Sequence, residues 1–496
     1  MNVLLIYPEF PDTFWSFKHA LKFIGKRALS PPLGLLTVAA LLPESWRKRL
    51  VDLNVTAHLK ESDLAWADMV FISAMTVQRS SAHAVAQRCR AAGVPAVAGG
   101  PLFVAEHQDF PEVDYFVLNE AELTLPPFLR DLAAGRPQRL YATAEFADIE
   151  QTPAPQWELL DLKQYSDMSI QYSRGCPFNC EFCNVTVLLG HRPRTKNAAQ
   201  VIAELDSLYA LGWRGGIFFV DDNFIGNKDR LKRELLPALI EWQGKGRGVT
   251  FNTQASVNLA DDPELMRMMA DAGFDMVFVG IETPDETCLR ECNKKQNTGR
   301  DLVADVKKIQ RAGLQVQGGF IVGFDSDTPS VFRRQVEFIQ KSGIATAMVG
   351  VLQAFPGTRL FERLRRENRI AGFTSGDNVD GTTNIVPRMP ARTLQEGYQR
   401  ILKHIYSPEN YCQRVKTFLR EYRAPTVKTP VSAGRFAAFA YSMLRLGIIG
   451  RERWQYWKLL TWTIFRRPRL LPQAITLMIC GHHFRRVAEL NVLARR

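Results

Sequence analysis

Ser173-Arg174-Gly175-Cys176-Pro177-Phe178-Asn179-Cys180-Glu181-Phe182-Cys183 is the stretch on which the reading of this chain turns. Its cysteines follow the spacing CxxxCxxC. With 8 Cys in 496 residues, random placement would reproduce that spacing somewhere in the chain with a frequency on the order of 0.002. A closed zinc site needs a fourth ligand, and the nearest candidate, His191, is a lone downstream histidine. Three thiolates suit a [4Fe-4S] cubane in which one iron has no protein ligand. The other cysteines, Cys89, Cys288, Cys292, Cys412 and Cys480, form no ligand set. Cys288 and Cys292 sit one helical turn apart, but two thiols are half a site. Eight cysteines so unevenly spread do not make a disulfide framework, and reducing surroundings suit a cluster.

Around this loop the chain alternates short apolar runs with helix-like stretches. Candidate strands Ser169–Ser173, Gly216–Val220, Thr250–Asn252, Met276–Gly280, Val316–Ile321 and Ala347–Leu352 are separated by helical segments such as Asn197–Leu211 and Pro263–Ala272. Six such units predict an incomplete βα barrel, whose chemistry belongs at the carboxyl ends of the strands. The cysteines follow the first of them. Upstream, Val3–Tyr7, Arg49–Asn54, Met69–Ser73, Ala96–Ala98 and Tyr115–Leu118 predict an open parallel sheet. Its loops Ser73-Ala74-Met75-Thr76 and Gly99-Gly100-Pro101 would share one ligand-facing rim. The expected organisation is an α/β chain with a Rossmann-like domain at 1–145, a linker at 146–167, a partial (βα)6 barrel at 168–376 and a mainly helical domain at 377–496. A chain this long supports several cores. Hydrophobic residues at 46% and charged residues at 23% are those of an ordinary globular protein and give no reason to expect disorder.

The cysteine loop and the barrel segments downstream of it resemble the radical SAM superfamily, in which the open iron chelates S-adenosylmethionine (SAM) and cleaves it to a 5'-deoxyadenosyl radical. The resemblance implies SAM contacts at Phe182, at Asp221 and Asp222 after the second strand, at Gln254 and Ser256, at Glu282 and at the glycines Gly318 and Gly323. Each has a plainer alternative. Asp221 and Asp222 would also serve to cap a helix, Glu282 to hold a loop, and the glycines to mark bulges.

The preceding α/β domain is similar to that of the cobalamin-binding radical SAM family. The matches are Ser30-Pro31-Pro32-Leu33-Gly34-Leu35, Gly99-Gly100-Pro101 and Asn119-Glu120-Ala121-Glu122. They imply cobalamin contacts at Pro32, Gly34, Ser73, Met75, Thr76, Gly99, Gly100 and Glu120. The D-x-H-x-x-G motif that supplies an axial histidine is absent, since His58 follows Asp52 at the wrong spacing. A cobalt without a histidine ligand is therefore expected, with Met75 and Thr76 at a height to approach its lower face or merely packing in their loop.

Charge concentrates at the carboxyl end. Val431 to Arg496 holds 12 Arg plus Lys against Glu452 and Glu489, a net +10 of the chain's +12. Arg451 to Pro468 interleaves aromatics with cations. The charge-free run Leu470 to Gly481 contains Pro472 and is too short to span a bilayer. An interfacial helix on acidic lipid is the expected reading of 431–496. Nucleic acid would also be attracted by the charge but is not the expected partner, and a solvated basic helix is the bland alternative. Met1 to Pro8 has no basic region before its apolar run and no cleavage site after it, so no signal peptide is read. A cytoplasmic protein, peripheral on the inner face of the membrane, is expected.

A basic extension of this type resembles that of the hopanoid C-2 methylases within the same family. The implied reaction methylates an unactivated carbon of a membrane lipid or another apolar small molecule. Methyl would pass from one SAM through cobalt to a carbon radical generated with a second SAM. An electron donor of the flavodoxin or ferredoxin type is implied. A tRNA or ribosomal methylthiotransferase shares the plan but uses three further cysteines in its first domain, where this chain has only Cys89. A non-methylating cyclisation, oxidation or rearrangement is the main alternative, and a non-catalytic membrane-binding protein the other.

Overall fold

The computed structural model describes residues 1–377, 379–423, 427 and 433–493, so the ends of the basic stretch, 431–432 and 494–496, lie outside the described residues. The first apolar runs form a parallel sheet of β1 (Asn2–Tyr7), β2 (Arg47–Asp52), β3 (Met69–Ser73), β4 (Ala96–Gly99), β5 (Tyr115–Val117) and β6 (Leu140–Tyr141). Its order is β2-β1-β3-β4-β5-β6. Val3 to Ile6 and Met69 to Ile72 are buried, because helices cover both faces of the sheet. The order reverses between β1 and β3, which opens a crevice at their carboxyl ends. β6 is absent from the sequence expectation: two residues at a sheet edge, with Leu140 exposed, carry no readable period.

The second series forms β7 (Asp167–Ile170), a hairpin of β8 (Ser173–Arg174) with β9 (Arg194–Thr195), then β10 (Gly216–Phe219), β11 (Phe251–Gln254), β12 (Phe274–Glu282), β13 (Gln315–Val322) and β14 (Ala347–Val351). The parallel order β14-β13-β12-β11-β10-β7 is the expected open barrel. One boundary differs. The first barrel strand, expected at Ser169–Ser173, stops at Ile170 because the Asp221 carboxylate accepts from the backbone of Tyr172 at 3.1 Å and from that of Ser173. Ser173 and Arg174 then pair with Thr195 and Arg194, and this hairpin frames the cysteine loop.

Six strands leave a seam between β7 and β14, and the segment after β1 fills it. On one side Asp167 N donates to Leu29 O at 2.8 Å. On the other, Trp15 Nε1 donates to Met348 Sδ at 3.0 Å. The C-terminal region is helical, with helices Ala391–Ile405, Pro408–Glu421, Arg453–Arg466 and Leu471–Ala488. Leu394, Tyr398, Ile401, Leu402 and Ile405 are buried at helical spacing. Phe484 stacks on Phe14 with centroids 4.2 Å apart, and the buried His483 meets Phe14 O through Nε2 at 3.0 Å. The seam segment thus ties the first sheet, the barrel and the last helices together. Among the described residues no helix is long and apolar enough to cross a membrane.

Candidate active site

The loop bearing Cys176, Cys180 and Cys183 is held from several directions. Gly175 has φ +93, and a Cβ there would lie 2.8 Å from Arg192 O, so glycine alone fits the turn out of β8. Cys176 N donates to Gly190 O at 3.2 Å and Glu181 N to Cys292 O at 2.9 Å. Asn293 and Arg359 both donate to Asn179 O, at 2.6 and 3.0 Å, and Arg363 pairs with Glu181 at 2.8 Å. The thiols remain free. Burial raises that of Cys176 and pushes that of Cys183 up to about 12, so neither is an ionised nucleophile by itself; a bound metal would take up the thiolate charge. Among the described residues no three His, Cys, Asp or Glu side chains stand close enough to share one metal ion. Thiolates on a cubane bind three separate irons, which three cysteines at the spacing CxxxCxxC can supply.

Several expected residues gather beside the loop. Phe182 packs on Phe324 with centroids 6.1 Å apart. Asp222 is half-buried, and burial pushes its carboxyl up to about 6. Glu282 sits at φ +65, a left-handed position held by a salt bridge to Lys294 Nζ at 2.6 Å. A Cβ at Gly280 would lie 2.3 Å from Glu282 Oε1 and 2.9 Å from Lys294 Nζ, so this glycine admits the pair. Burial opposes the Lys294 charge, but the Glu282 carboxylate beside it holds its pKa above the ordinary value. Ser256 donates to Asn223 Oδ1 through N at 3.2 Å, and Asn223 Nδ2 points at Cys176 Sγ at 4.0 Å. Gln296 Nε2 approaches Cys180 Sγ at 3.7 Å. Asn223, Lys294 and Gln296 are absent from the sequence expectation. Asn223 adjoins the expected Asp221-Asp222 pair, whereas Lys294 and Gln296 carry no local signal.

Two expected contacts are corrected. Asp221 is fully buried, and its carboxylate is occupied by the backbone of Tyr172 and Ser173 and by Ser173 Oγ at 2.5 Å; it shapes the approach to the loop and does not face the cleft. Gly318 shares the outer face of β13 with Phe320, which packs on Phe338 of the helix Ser330–Ser342; a Cβ at Gly318 would lie 2.8 Å from Phe320 Cε2 and 3.1 Å from Ile344. The inward glycine of β13 is Gly319, whose Cβ would meet Phe278 Cζ at 2.7 Å, as strand alternation requires. Gly323, at φ +104, ends the strand with its N–H on Asp327 Oδ2 at 2.8 Å. Gln254 lies at the end of β11, not after it.

On the first sheet the two expected rim loops touch. Gly100 has φ +93, and a Cβ there would lie 2.7 Å from Ser73 Oγ; one at Gly99 would lie 2.6 Å from Val117 O. Met75 is 49% exposed, whereas Thr76 lies beneath Gly376. Pro32 precedes the helix Leu33–Leu41, and Gly34 is exposed in its first turn. Glu120 is the third correction. It is buried, bridged to Arg174 at 3.0 Å and to Arg194 at 2.9 Å, and accepts from Ala147 N at 2.6 Å. Glu122 adds a bond to Arg174 at 2.8 Å. Both arginines lie on the hairpin that frames the cysteines, so Glu120 clasps the two domains together and has no free oxygen to offer a corrin.

Residues 170–339 match the radical SAM superfamily, 27–129 the B12 binding domain, and 358–494 a domain of unknown function. The chain is 40% identical to an uncharacterized methyltransferase of Synechocystis sp., over 99% of this chain and 92% of that one. It is 33% identical to the hopanoid C-2 methylase of Rhodopseudomonas palustris, over 97% of this chain and 92% of that one. The chain belongs to the cobalamin-binding radical SAM family. It is a cobalamin-dependent radical SAM methyltransferase, with a [4Fe-4S] cluster, SAM and cobalamin as cofactors. The fold is shared with the radical SAM methyltransferase TsrM of Kitasatospora setae, at a TM-score of 0.63 and 17% identity, covering 94% of this chain and 99% of that one.

Proposed function

We propose that this methyltransferase acts on an unactivated carbon of a membrane lipid of the hopanoid type. The observation that carries the reading is the likeness to a hopanoid C-2 methylase across the whole length, C-terminal helices included. In this reading Cys176, Cys180 and Cys183 hold the cluster. Phe182, Asp222, Gln254, Ser256, Glu282 and Gly323 line the SAM site, with Gly319 in place of Gly318. Ser73, Met75, Thr76, Gly99, Gly100, Pro32 and Gly34 would hold cobalamin, Met75 presenting an exposed side chain. The division into 1–145, 146–167, 168–376 and 377–496 follows the same assignment. When bound, the cluster with SAM supplies a hydrogen-abstracting radical and cobalamin a transferable methyl group. The chain itself orients them: Asn223 steadies Cys176, Lys294 offsets charge beside Cys180 and Cys183, and the Glu120 clasp fixes the distance between the two cofactor domains. The electron arrives from a flavodoxin or ferredoxin type of donor.

A peripheral position on the inner face of the membrane goes with this substrate. Its support is the surface of 433–470, where Phe465 is 84%, Trp454 69% and Phe436 67% exposed among exposed arginines. Such a surface suits the interface of an anionic bilayer. Incubation of the reconstituted protein with methyl-labelled SAM and a hopanoid tests the reading. Label in the recovered lipid is expected; a turned-over product without label excludes methyl transfer. Lipid analysis of a deletion strain should show loss of a methylated lipid, and an unchanged profile rejects the substrate class.

A further inference from the structure

An electron supplied to the cysteine loop has to come from outside the protein, and the loop reaches solvent at its tip. Cys180 is buried, while Pro177 and Asn179 are exposed, so one peptide bond separates a cluster ligand from an exposed residue. A small apolar centre adjoins the tip. Val187 is 43% exposed and would lie 3.0 Å from a Cβ at Gly357, and Pro356 beside that glycine is exposed. Cations rim this centre. The exposed Arg359 donates to Asn179 O at 3.0 Å, and Asn293 donates to the same oxygen at 2.6 Å, which brings the exposed Lys295 to that side. On the other side a Cβ at Gly226 would lie 3.6 Å from Pro177 and 3.0 Å from Pro193. The groove there is bounded by the exposed Arg192 and by Lys228, with Asp229 as its one acid. Among the described residues Arg192, Lys295 and Arg359 form no ion pair. Glu181 in the loop and Asp325 behind it are both held by Arg363.

Unpaired cations around a small apolar centre suit an acidic protein that binds briefly. Redox encounters use small interfaces, and charge complementarity governs their rate of encounter more than their affinity. We propose that the tip Pro177 to Asn179, with its rim of Arg192, Lys295 and Arg359, is the docking surface for the electron donor, a small acidic redox protein. One electron leaves the reduced carrier and enters the cluster of the holoenzyme; no bond forms or breaks at the surface. The second basic surface, 433–470, stands at the wrong end for this role. Its Arg435 acts electrostatically on Asp275 at the amino end of β12, whereas the cysteine loop lies at the carboxyl ends of the strands. The inference rests on the class of donor proposed above and specifies where that donor binds.

The test reads 5'-deoxyadenosine formation by the reconstituted holoenzyme, driven either by reduced flavodoxin or by photoreduced 5-deazariboflavin, a small neutral reductant. Arg192→Glu combined with Lys295→Glu should lower the rate at limiting flavodoxin roughly tenfold at low salt, with the difference shrinking at high salt. The rate with deazariboflavin should stay that of the wild type. Carbodiimide coupling of the wild-type holoenzyme to flavodoxin should join Lys295 to a flavodoxin carboxylate. An unchanged flavodoxin-driven rate in the double variant overturns the proposal. So does coupling that omits Lys295, whether it falls on the exposed Lys458 of the other basic surface or nowhere. A double variant slow with both reductants has a disturbed loop, and the wild-type cross-link then decides by itself. Turnover with deazariboflavin and with no acidic carrier would reject the class of donor, and the surface with it.

Discussion

The cysteine loop and the surface of residues 433–470 dispose of charge in opposite ways. Around the loop most glutamates are matched within the protein: Glu120 and Glu122 by Arg174 and Arg194, Glu181 by Arg363, Glu282 by Lys294. In 433–470 the sole acidic residue, Glu452, is buried against His482 at 3.0 Å and Arg485 at 2.9 Å. Arg451, Arg453, Lys458, Arg466 and Arg469 are left on the surface among exposed aromatics. A preorganised site meets its desolvation cost internally, before any ligand arrives. A surface that turns its only acid inward offers its cations to a partner outside.

The largest expected effect tests the loop. Replacing Cys176, Cys180 or Cys183 by Ala should abolish SAM cleavage, read as loss of 5'-deoxyadenosine; cleavage retained in any one would break the assignment of three ligands. Glu120→Ala comes next. Removing one partner of a buried ion pair costs about 3–5 kcal/mol, to be read from the denaturation midpoint. A loss well below 1 kcal/mol would show that the clasp does not hold the hairpin.

His483 sits between the two regions. Burial pushes its imidazole down to about 4, below its unfolded value. The stability it contributes is therefore complete above pH ~6.5 and is lost as pH falls toward 4, amounting to about 2 kcal/mol between pH 7 and pH 5. His483→Gln should flatten that part of the stability curve, and an unchanged slope would assign it to other groups. The smallest effect belongs to the outer surface. Arg453→Ala should weaken binding to anionic vesicles by about 1 kcal/mol, roughly fivefold, at low salt and not at high salt. Equal binding of both proteins would remove Arg453 from the contact.

Local chemistry is readable from sequence, and three-dimensional pairing is not. The cysteine spacing and the apolar runs announce the cluster loop and both sheets, because each is specified by residues close together in the chain. Asp221 and Asp222 are adjacent and chemically alike, so nothing local says that the first is buried under Tyr172 and Ser173. Gly318 and Gly319 exchange roles on a one-residue shift of facing, which only the paired strands fix. Glu120 reads as a polar rim residue until Arg174 and Arg194, 54 and 74 residues away, are brought onto it. Lys294 and Gln296 are invisible for the same reason.

The central claim is that one cluster and one cobalamin serve a single site between the first sheet and the barrel. Metal content after anaerobic reconstitution tests it most directly, with the visible spectrum recorded on the same sample. About four irons and about one cobalt per chain are expected, falling to about one cobalt without cluster iron in the triple Cys→Ala variant. About eight irons and no cobalt would contradict the account.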